Sequence, residues 1–250
     1  MHYTAMGRGR PVVFLHGWVG SWKCWTSVMK VVSTSYSTYA LDFWGFGDTA
    51  RNELKYSLDE QVKLLEVFLN ELGIGKIVLV GHGLGGLVAM KFATHFRQRV
   101  DRIMAVSCQL NYYAVNARLS SASPQDLSDW LSNRSPEAMT ALSDAPKADA
   151  RAIAASLAGL QADNLFGNFR NLDVPCLLVY GEKDQAVTLP PFEAATSTYI
   201  HSIYLDGSGH FPMIEETVKF NRLLTDFLAL PSGISPSELQ MKDEWKRRVR

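Results

Sequence analysis

Four short segments of this chain hold residue types that can do acid–base and acyl chemistry. In "GEKDQAV" Asp184 lies just beyond the apolar run "PCLLVY", and in "GSGHFPMIEE" His210 lies just beyond the run "HSIYLD". A carboxyl group and an imidazole at the ends of successive strands are the residue types from which general bases are made. The third segment, "VGHGLGGL" from Val80 to Leu87, has the form of a turn that lifts one side chain above a sheet. An apolar run ends in Gly-x-nucleophile-x-Gly and passes straight into a helix. Its flanking glycines are Gly81 and Gly85, yet the nucleophile position is Gly83. In the fourth segment, "FLHGWVGS", His16 and Gly17 follow a strand-like run, where a turn can direct the backbone N–H of Trp18 toward a developing oxyanion.

Gly81, Gly83 and Gly86 also satisfy the G-x-G-x-x-G of dinucleotide-binding turns. That motif belongs after the first strand of a sheet and needs an acidic ribose partner about 20 residues on. Here it follows the third strand-like run, and Asp101, at the right distance, opens a strand instead of closing one. No Lys-Ser/Thr pair follows the glycines, so a P-loop is excluded as well.

The elements that must position these residues are legible from periodicity. Dense apolar runs at Pro11 to Leu15, Tyr36 to Asp42, Lys76 to Val80, Arg102 to Ser107, Pro175 to Tyr180 and His201 to Asp206 predict strands covered on both faces. Amphipathic segments between them predict crossover helices, which makes the fold class α/β with a mostly parallel central sheet. The plainest helix is "YSLDEQVKLLEVFLNELGIG": Ser57 and Glu60 form a capping box, Val62, Leu65, Phe68, Leu69 and Leu72 form a stripe, and Gly73 can close it. A second helix runs through "LGGLVAMKFATHF", where Gly85 and Gly86 permit close approach to neighbouring strands.

Strand-like runs disappear from about 111 to 170. "SPQDLSDWLSN" and "SPEAMTALSDA" each begin with Ser then Pro, a favourable cap and first position, and "ADARAIAASLAGLQ" is a third helical stretch. The expected division is a core of 1–110 and 171–230, a helical insert of 111–170, and a tail of 231–250 ending in the mixed-charge "KDEWKRRVR", read as a solvated helix end.

Composition narrows the function. The 250 residues are 47% hydrophobic, enough for one substantial core. Lys plus Arg and Asp plus Glu both total 25, so no overall field favours nucleic acid or an anionic membrane surface. A neutral or small ligand is expected. No signal-like core and no run long enough to span a bilayer is present, which predicts a soluble, cytoplasmic protein. Cys24, Cys108 and Cys176 form no CxxC pair, which argues against a disulfide framework and a zinc site; Cys108 and Cys176 are expected in buried strands.

In the order elbow, acid, histidine, and from "HYTAMGRGRPVVFLHG" through "DFWGFGDTA" to "SGHFPMIE", the chain resembles the α/β-hydrolase superfamily in its esterase, lipase and cofactor-free perhydrolase-like branch. The resemblance implies that Asp184 orients and charge-stabilises His210, that His210 is general base and then acid, and that the N–H groups of Trp18 and Leu84 form the oxyanion hole. It implies a structural loop at Asp42, Gly45 and Gly47, a cap in the helical insert, and no metal or organic cofactor. Trp18, Trp130, Leu131, Leu160, Leu165, Phe166 and Phe211 suggest an apolar pocket, for which a small apolar or aromatic carboxylic ester is the expected substrate.

Gly83 departs from the family, which has Ser, or sometimes Asp or Cys, at this point. Gly adopts the strained elbow backbone without steric cost, so the replacement removes the attacking oxygen and keeps the turn. Three readings follow: an inactivated or strongly impaired serine esterase; non-covalent chemistry in which His210 and Asp184 activate water or remove a proton, as in water-mediated hydrolysis or lyase-like or oxygenase-like reactions; and a ligand-binding pseudoenzyme. As substitute nucleophiles, Cys24, Ser208 and His82 are poorly placed, and Ser107 and Cys108, at the end of a central strand, are the best of the remainder.

Overall fold

A computed structural model describes residues 1–110, 115–162, 164–188 and 197–239. The mixed-charge end of the tail, expected as a solvated helix end, lies outside the described residues.

Each expected strand is present: β2 (Pro11–Leu15), β3 (Ser37–Leu41), β4 (Ile77–His82), β5 (Val100–Val106), β6 (Cys176–Gly181) and β7 (Ile200–Leu205). One further strand precedes them, β1 (Tyr3–Met6), which pairs antiparallel with β3 from Tyr3↔Leu41 to Met6↔Thr38. It is a four-residue edge strand, alternating exposed and half-buried, and carries too little apolar signal to be read as a run. All other pairings are parallel, in the order β1-β3-β2-β4-β5-β6-β7. Residues of β4, β5 and β6 are buried throughout, as strands covered on both faces by crossover helices must be.

The chain leaves β2 toward β3 on one side and returns to place β4 on the other, so β2 and β4 flank the point where strand order reverses. Ligands of open α/β sheets bind in the crevice outside the carboxyl ends of strands at such a point. The His16–Trp18 loop follows β2 and Gly83 follows β4, so both open onto this crevice.

Helices α1 (Thr26–Val32), α2 (Leu58–Glu71) and α3 (Leu84–His95) cover the sheet. The capping box at the start of α2 is formed in part as expected, with Ser57 Oγ accepting the Glu60 N–H at 3.3 Å, and the Val62, Leu65, Phe68, Leu69 face is buried. Between β5 and β6 the described residues form five α-helices where three stretches were expected: α4 (Arg118–Ser121), α5 (Pro124–Leu131), α6 (Pro136–Ala141), α7 (Ala150–Ala162) and α8 (Leu165–Arg170). The two extra ones are four and six residues long, below the length at which periodicity is readable. Ser123 and Ser135 cap α5 and α6 through their hydroxyls, with proline next in each helix. Polar bonds tie this helical segment to loops at the sheet's carboxyl end: Ser21 Oγ to Asp144 Oδ2 at 2.9 Å, Tyr56 Oη to Asp149 Oδ2 at 2.9 Å, and Trp18 Nε1 to Ser156 Oγ at 2.8 Å. After β7 come α9 (Pro212–Glu215) and α10 (Thr217–Ala229), the latter packed on α1. Among the described residues no helix is long and apolar enough to cross a membrane.

The Asp42 loop is a buried junction. Its carboxylate accepts the Trp22 N–H at 2.7 Å and the Asp48 N–H at 3.0 Å, and bonds His2 Nδ1 at 2.7 Å. Of the cysteines, Cys176 lies in β6 as expected, whereas Cys108 is buried two residues beyond the end of β5, because the strand stops at Val106 where the chain turns.

The close seating of α3 gives the first prediction. A Cβ on Gly85 would stand 2.2 Å from the Leu15 carbonyl oxygen, whereas nothing lies within 4 Å of one on Gly75. Urea unfolding should show Gly85→Ala destabilised by at least about 1–3 kcal/mol, with Gly75→Ala inside about 0.5 kcal/mol of the parent. Equal effects would show that the elbow does not need this approach.

Candidate active site

Gly83 caps α3 with φ 48° and ψ −111°, the strained conformation expected of an elbow. Its N–H donates to the Val106 carbonyl at 2.9 Å, so β5 fixes the turn from beneath. A Cβ on Gly83 would meet Trp18 ring atoms at 3.5 Å and the Gly17 Cα at 3.7 Å, which is ordinary contact. The turn therefore has space for a side chain and lacks one.

Leu84 is the first residue of α3, so its N–H has no intrahelical acceptor. The Trp18 N–H is oriented by its neighbours. The buried His16 ring bonds the Gly17 carbonyl through Nδ1 at 2.7 Å and accepts the Phe43 N–H on Nε2 at 3.1 Å, which makes Nδ1 the protonated nitrogen. Burial outweighs the nearby Asp42 charge and holds this imidazole below its usual pKa. Since the carbonyl and N–H of a trans peptide point in opposite directions, holding back the Gly17 carbonyl turns the Trp18 N–H away from His16.

His210 Nδ1 lies 2.9 and 3.0 Å from the two carboxylate oxygens of Asp184, both groups nearly fully buried. Burial alone would raise the Asp184 carboxyl. The His210 imidazole and the Ala186 N–H, donating at 2.8 Å, outweigh it and hold the group below the usual carboxylate range. His82 stands between this pair and the Trp18 loop: Nε2–H donates to the His210 carbonyl at 2.9 Å, and the ring stacks on Phe211 at 4.9 Å. Its burial drives the imidazole down to about 3, so it is neutral at physiological pH.

The structure thus brings Gly83, Leu84, Trp18, Asp184 and His210 to one end of the sheet. Trp18 is 2% exposed, its ring beside Gly83 and its indole held by Ser156 of α7. Leu131, Leu160 and Leu165 are buried and Phe166 is half-buried, all packed into the core that underlies the helical segment. Trp130 is half-buried and donates to Gln185 Oε1 at 2.9 Å. Phe211 is 1% exposed and spends its ring on His82 and His210. None of the substitute nucleophiles is an activated group. Cys24 is pushed up to about 12 by burial, and the buried Cys108 thiol is raised likewise. Ser208 contacts Glu215, His82 is a fully buried and weakly basic ring whose Nδ1 has no hydrogen-bond partner, and Ser107 is a fully buried hydroxyl beside Asp184 without reaching hydrogen-bond geometry.

Two residues important to this geometry escaped the sequence reading. Glu215 accepts the Gly209 N–H and the Ser208 hydroxyl and so fixes the loop that carries His210. Ser156 anchors Trp18. A carboxylate in the apolar "FPMIE" and a lone hydroxyl in "AIAASLAG" were the available signals.

A model of the alpha/beta hydrolase family matches residues 12–223. The sequence is 28% identical over 258 aligned residues to 2-hydroxy-6-oxo-2,4-heptadienoate hydrolase of Pseudomonas putida, covering 90% of this chain and 91% of that protein. It is 33% identical over 103 residues to a soluble epoxide hydrolase of Corynebacterium sp. (strain C12), covering 41% of this chain and 36% of that protein. The chain spans about a third of the length of the epoxide hydrolases it matches. Among solved structures, a thermophilic esterase from Thermogutta terrifontis superposes with a TM-score of 0.77 at 20% identity, over 91% of this chain and 92% of that one.

The neutral His82 makes stability depend on pH. Above about 6.5 neither folded nor unfolded chain protonates this ring. Below that the unfolded chain binds a proton that the folded one refuses until pH falls to about 3. Stability should fall with pH across that window by up to about 1.4 kcal/mol per pH unit from this ring. In urea unfolding between pH 7 and 5, His82→Gln should flatten the slope relative to the parent. Identical slopes would mean that His82 is protonated in the fold.

Proposed function

The chain belongs to the alpha/beta hydrolase family, and from that premise we propose that its site is built for small apolar carboxylic esters, with the covalent step removed by Gly83. The observation that carries this reading is the elbow: its strained backbone and the space above it are retained at Gly83, beside a closed His210–Asp184 pair. In this reading the ester carbonyl lies over Gly83 with its oxygen toward the N–H groups of Trp18 and Leu84. Such donors stabilise charge that develops only as the carbonyl is attacked. His210 takes the proton of the attacking hydroxyl and returns it to the departing alkoxide, while Asp184 balances the transient imidazolium. The helical insert 111–170 acts as the cap, and Trp18, Trp130, Leu131, Leu165 and Phe166 give the site its apolar character.

Without a residue-83 hydroxyl no acyl-enzyme forms, and the chain is inactive or strongly impaired on that route. The intact His210–Asp184 hydrogen bond favours one second reading, in which a water in the space above Gly83 is the attacker. His210 then removes its proton, the water oxygen bonds to the carbonyl carbon, and the ester C–O bond breaks as the proton passes to the alcohol.

Hydrolysis of p-nitrophenyl acetate, butyrate and hexanoate by the native protein and by Gly83→Ser, each with and without His210→Ala, tests both readings. Gly83→Ser should gain at least about 10³-fold in kcat/KM, lost on adding His210→Ala. Native turnover above background that also disappears with His210→Ala would identify the water route. Absence of turnover in every folded variant would sink the ester-hydrolase reading.

A further inference from the structure

A groove of about 270 Å³ runs from the end of α5 to the His210 loop, with Trp130, Asn133, Lys183, Gln185, His210 and Glu215 among its walls. Its unspent hydrogen-bonding capacity is mostly donors. Gln185 Oε1 is taken by Trp130 Nε1–H at 2.9 Å, and Asn133 Oδ1 by the Ser135 N–H at 3.0 Å. Both partners are donors only, so each fixes which end of the amide faces it. Glu215 Oε2 accepts both the Gly209 N–H and the Ser208 hydroxyl, which leaves Oε1 as the one carboxylate oxygen of this wall with no hydrogen bond from the described residues. Beside that one oxygen stand three donors, Gln185 Nε2, Asn133 Nδ2 and Lys183 Nζ, which have no protein acceptor among the described residues. The Arg118 guanidinium, 4.9 Å from the Trp130 ring centre, adds positive charge behind that wall.

We propose that this groove binds the free carboxylate of the substrate, so that the ester acted on is a half-ester: apolar where it reacts and anionic at its far end. The inference rests on the ester-hydrolase reading of the same site. A carboxylate supplies acceptors only, which matches the unspent donors, and its single charge matches the single ammonium of Lys183. A phosphate dianion fits less well, because its second charge would stand near Glu215 without a counter-ion. His210 forms part of the same wall as Lys183, and in this assignment the carboxylate end of a short chain lies at Lys183 with its ester end toward the imidazole.

The test uses monoethyl glutarate and its uncharged counterpart ethyl hexanoate. Titration calorimetry on the native protein should show monoethyl glutarate binding, weakened by added salt, and Lys183→Glu should weaken it at least about tenfold. In Gly83→Ser, kcat/KM should favour monoethyl glutarate over ethyl hexanoate at least about tenfold, and Lys183→Glu should reverse the preference. Lys183 is exposed, so the substitution leaves the core intact. Hydrolysis of ethyl hexanoate by Gly83→Ser without anion preference, and without calorimetric binding of the anion, overturns the groove assignment and leaves the hydrolase reading standing. Lys183-dependent binding of the anion with no hydrolysis of either ester in Gly83→Ser supports the groove and removes the hydrolase reading.

Discussion

The start of α3 lies against the end of β2, and much of the site follows from that one contact. It is possible only because residue 85 has no side chain where the Leu15 carbonyl approaches. Gly81 adds to the constraint from the other side, since a Cβ there would stand 2.3 Å from the Gly85 backbone. With strand and helix so close, the connecting residue has to turn within one position, and Gly83 takes φ 48° as a result. The same closeness brings the N-terminus of α3 beside the loop that leaves β2. A Cβ on Gly83 would stand 3.7 Å from the Gly17 Cα and 3.5 Å from the Trp18 ring, so the elbow faces residues 17 and 18 directly. Topology supplies the rest, because β2 and β4 meet where strand order reverses.

The histidines divide according to charge. His16 and His82 are fully buried and neutral, serving as rigid hydrogen-bonding plates: one holds back the Gly17 carbonyl, the other ties the elbow to the His210 carbonyl. Of the three rings around the elbow and its neighbouring loops, His210 is the one hydrogen-bonded to a carboxylate. A charge on either of the other rings would be costly in so enclosed a space, whereas the Asp184 carboxylate is already balanced by the N–H of Ala186 and by the imidazole it faces. The arrangement thus confines proton chemistry to one imidazole among three that lie within a few residues of the loops concerned.

Much of this was legible in the sequence, for a physical reason. Six of the seven strands show as apolar runs because parallel strands are buried on both faces, and the elbow shows because steric crowding admits only glycine at 81 and 85. The acid and the histidine could be placed at strand ends because "PCLLVY" and "HSIYLD" stop abruptly before them. What was illegible depends on contacts distant in sequence or on elements too short to show a period. β1 is four half-exposed residues at an edge. Phe211, read as a pocket residue, is spent on His82, a contact across 129 positions that no local pattern encodes. Glu215 and Ser156 act on loops they meet only after folding, and the unspent donors of Gln185 and Asn133 are visible only once their acceptors are seen to be taken.

The vacancy at residue 83 is mechanically isolated from the pair it would serve. Asp184 is held by the Ala186 N–H in the loop after β6, and His210 by the loop after β7, with Glu215 beneath it and its carbonyl on His82. None of these bonds passes through a side chain at 83. Each member of the pair also has structural work: the Asp184 carboxylate satisfies backbone donors at 186 and 187, and the His210 carbonyl accepts the Nε2–H of the buried His82. Persistence of the pair is therefore explained by local structure alone and is no measure of whether it is used. What bears on use is the surface open to a ligand, and among the described residues the groove beside His210 presents the Gln185 and Asn133 amide donors with their acceptor ends already taken.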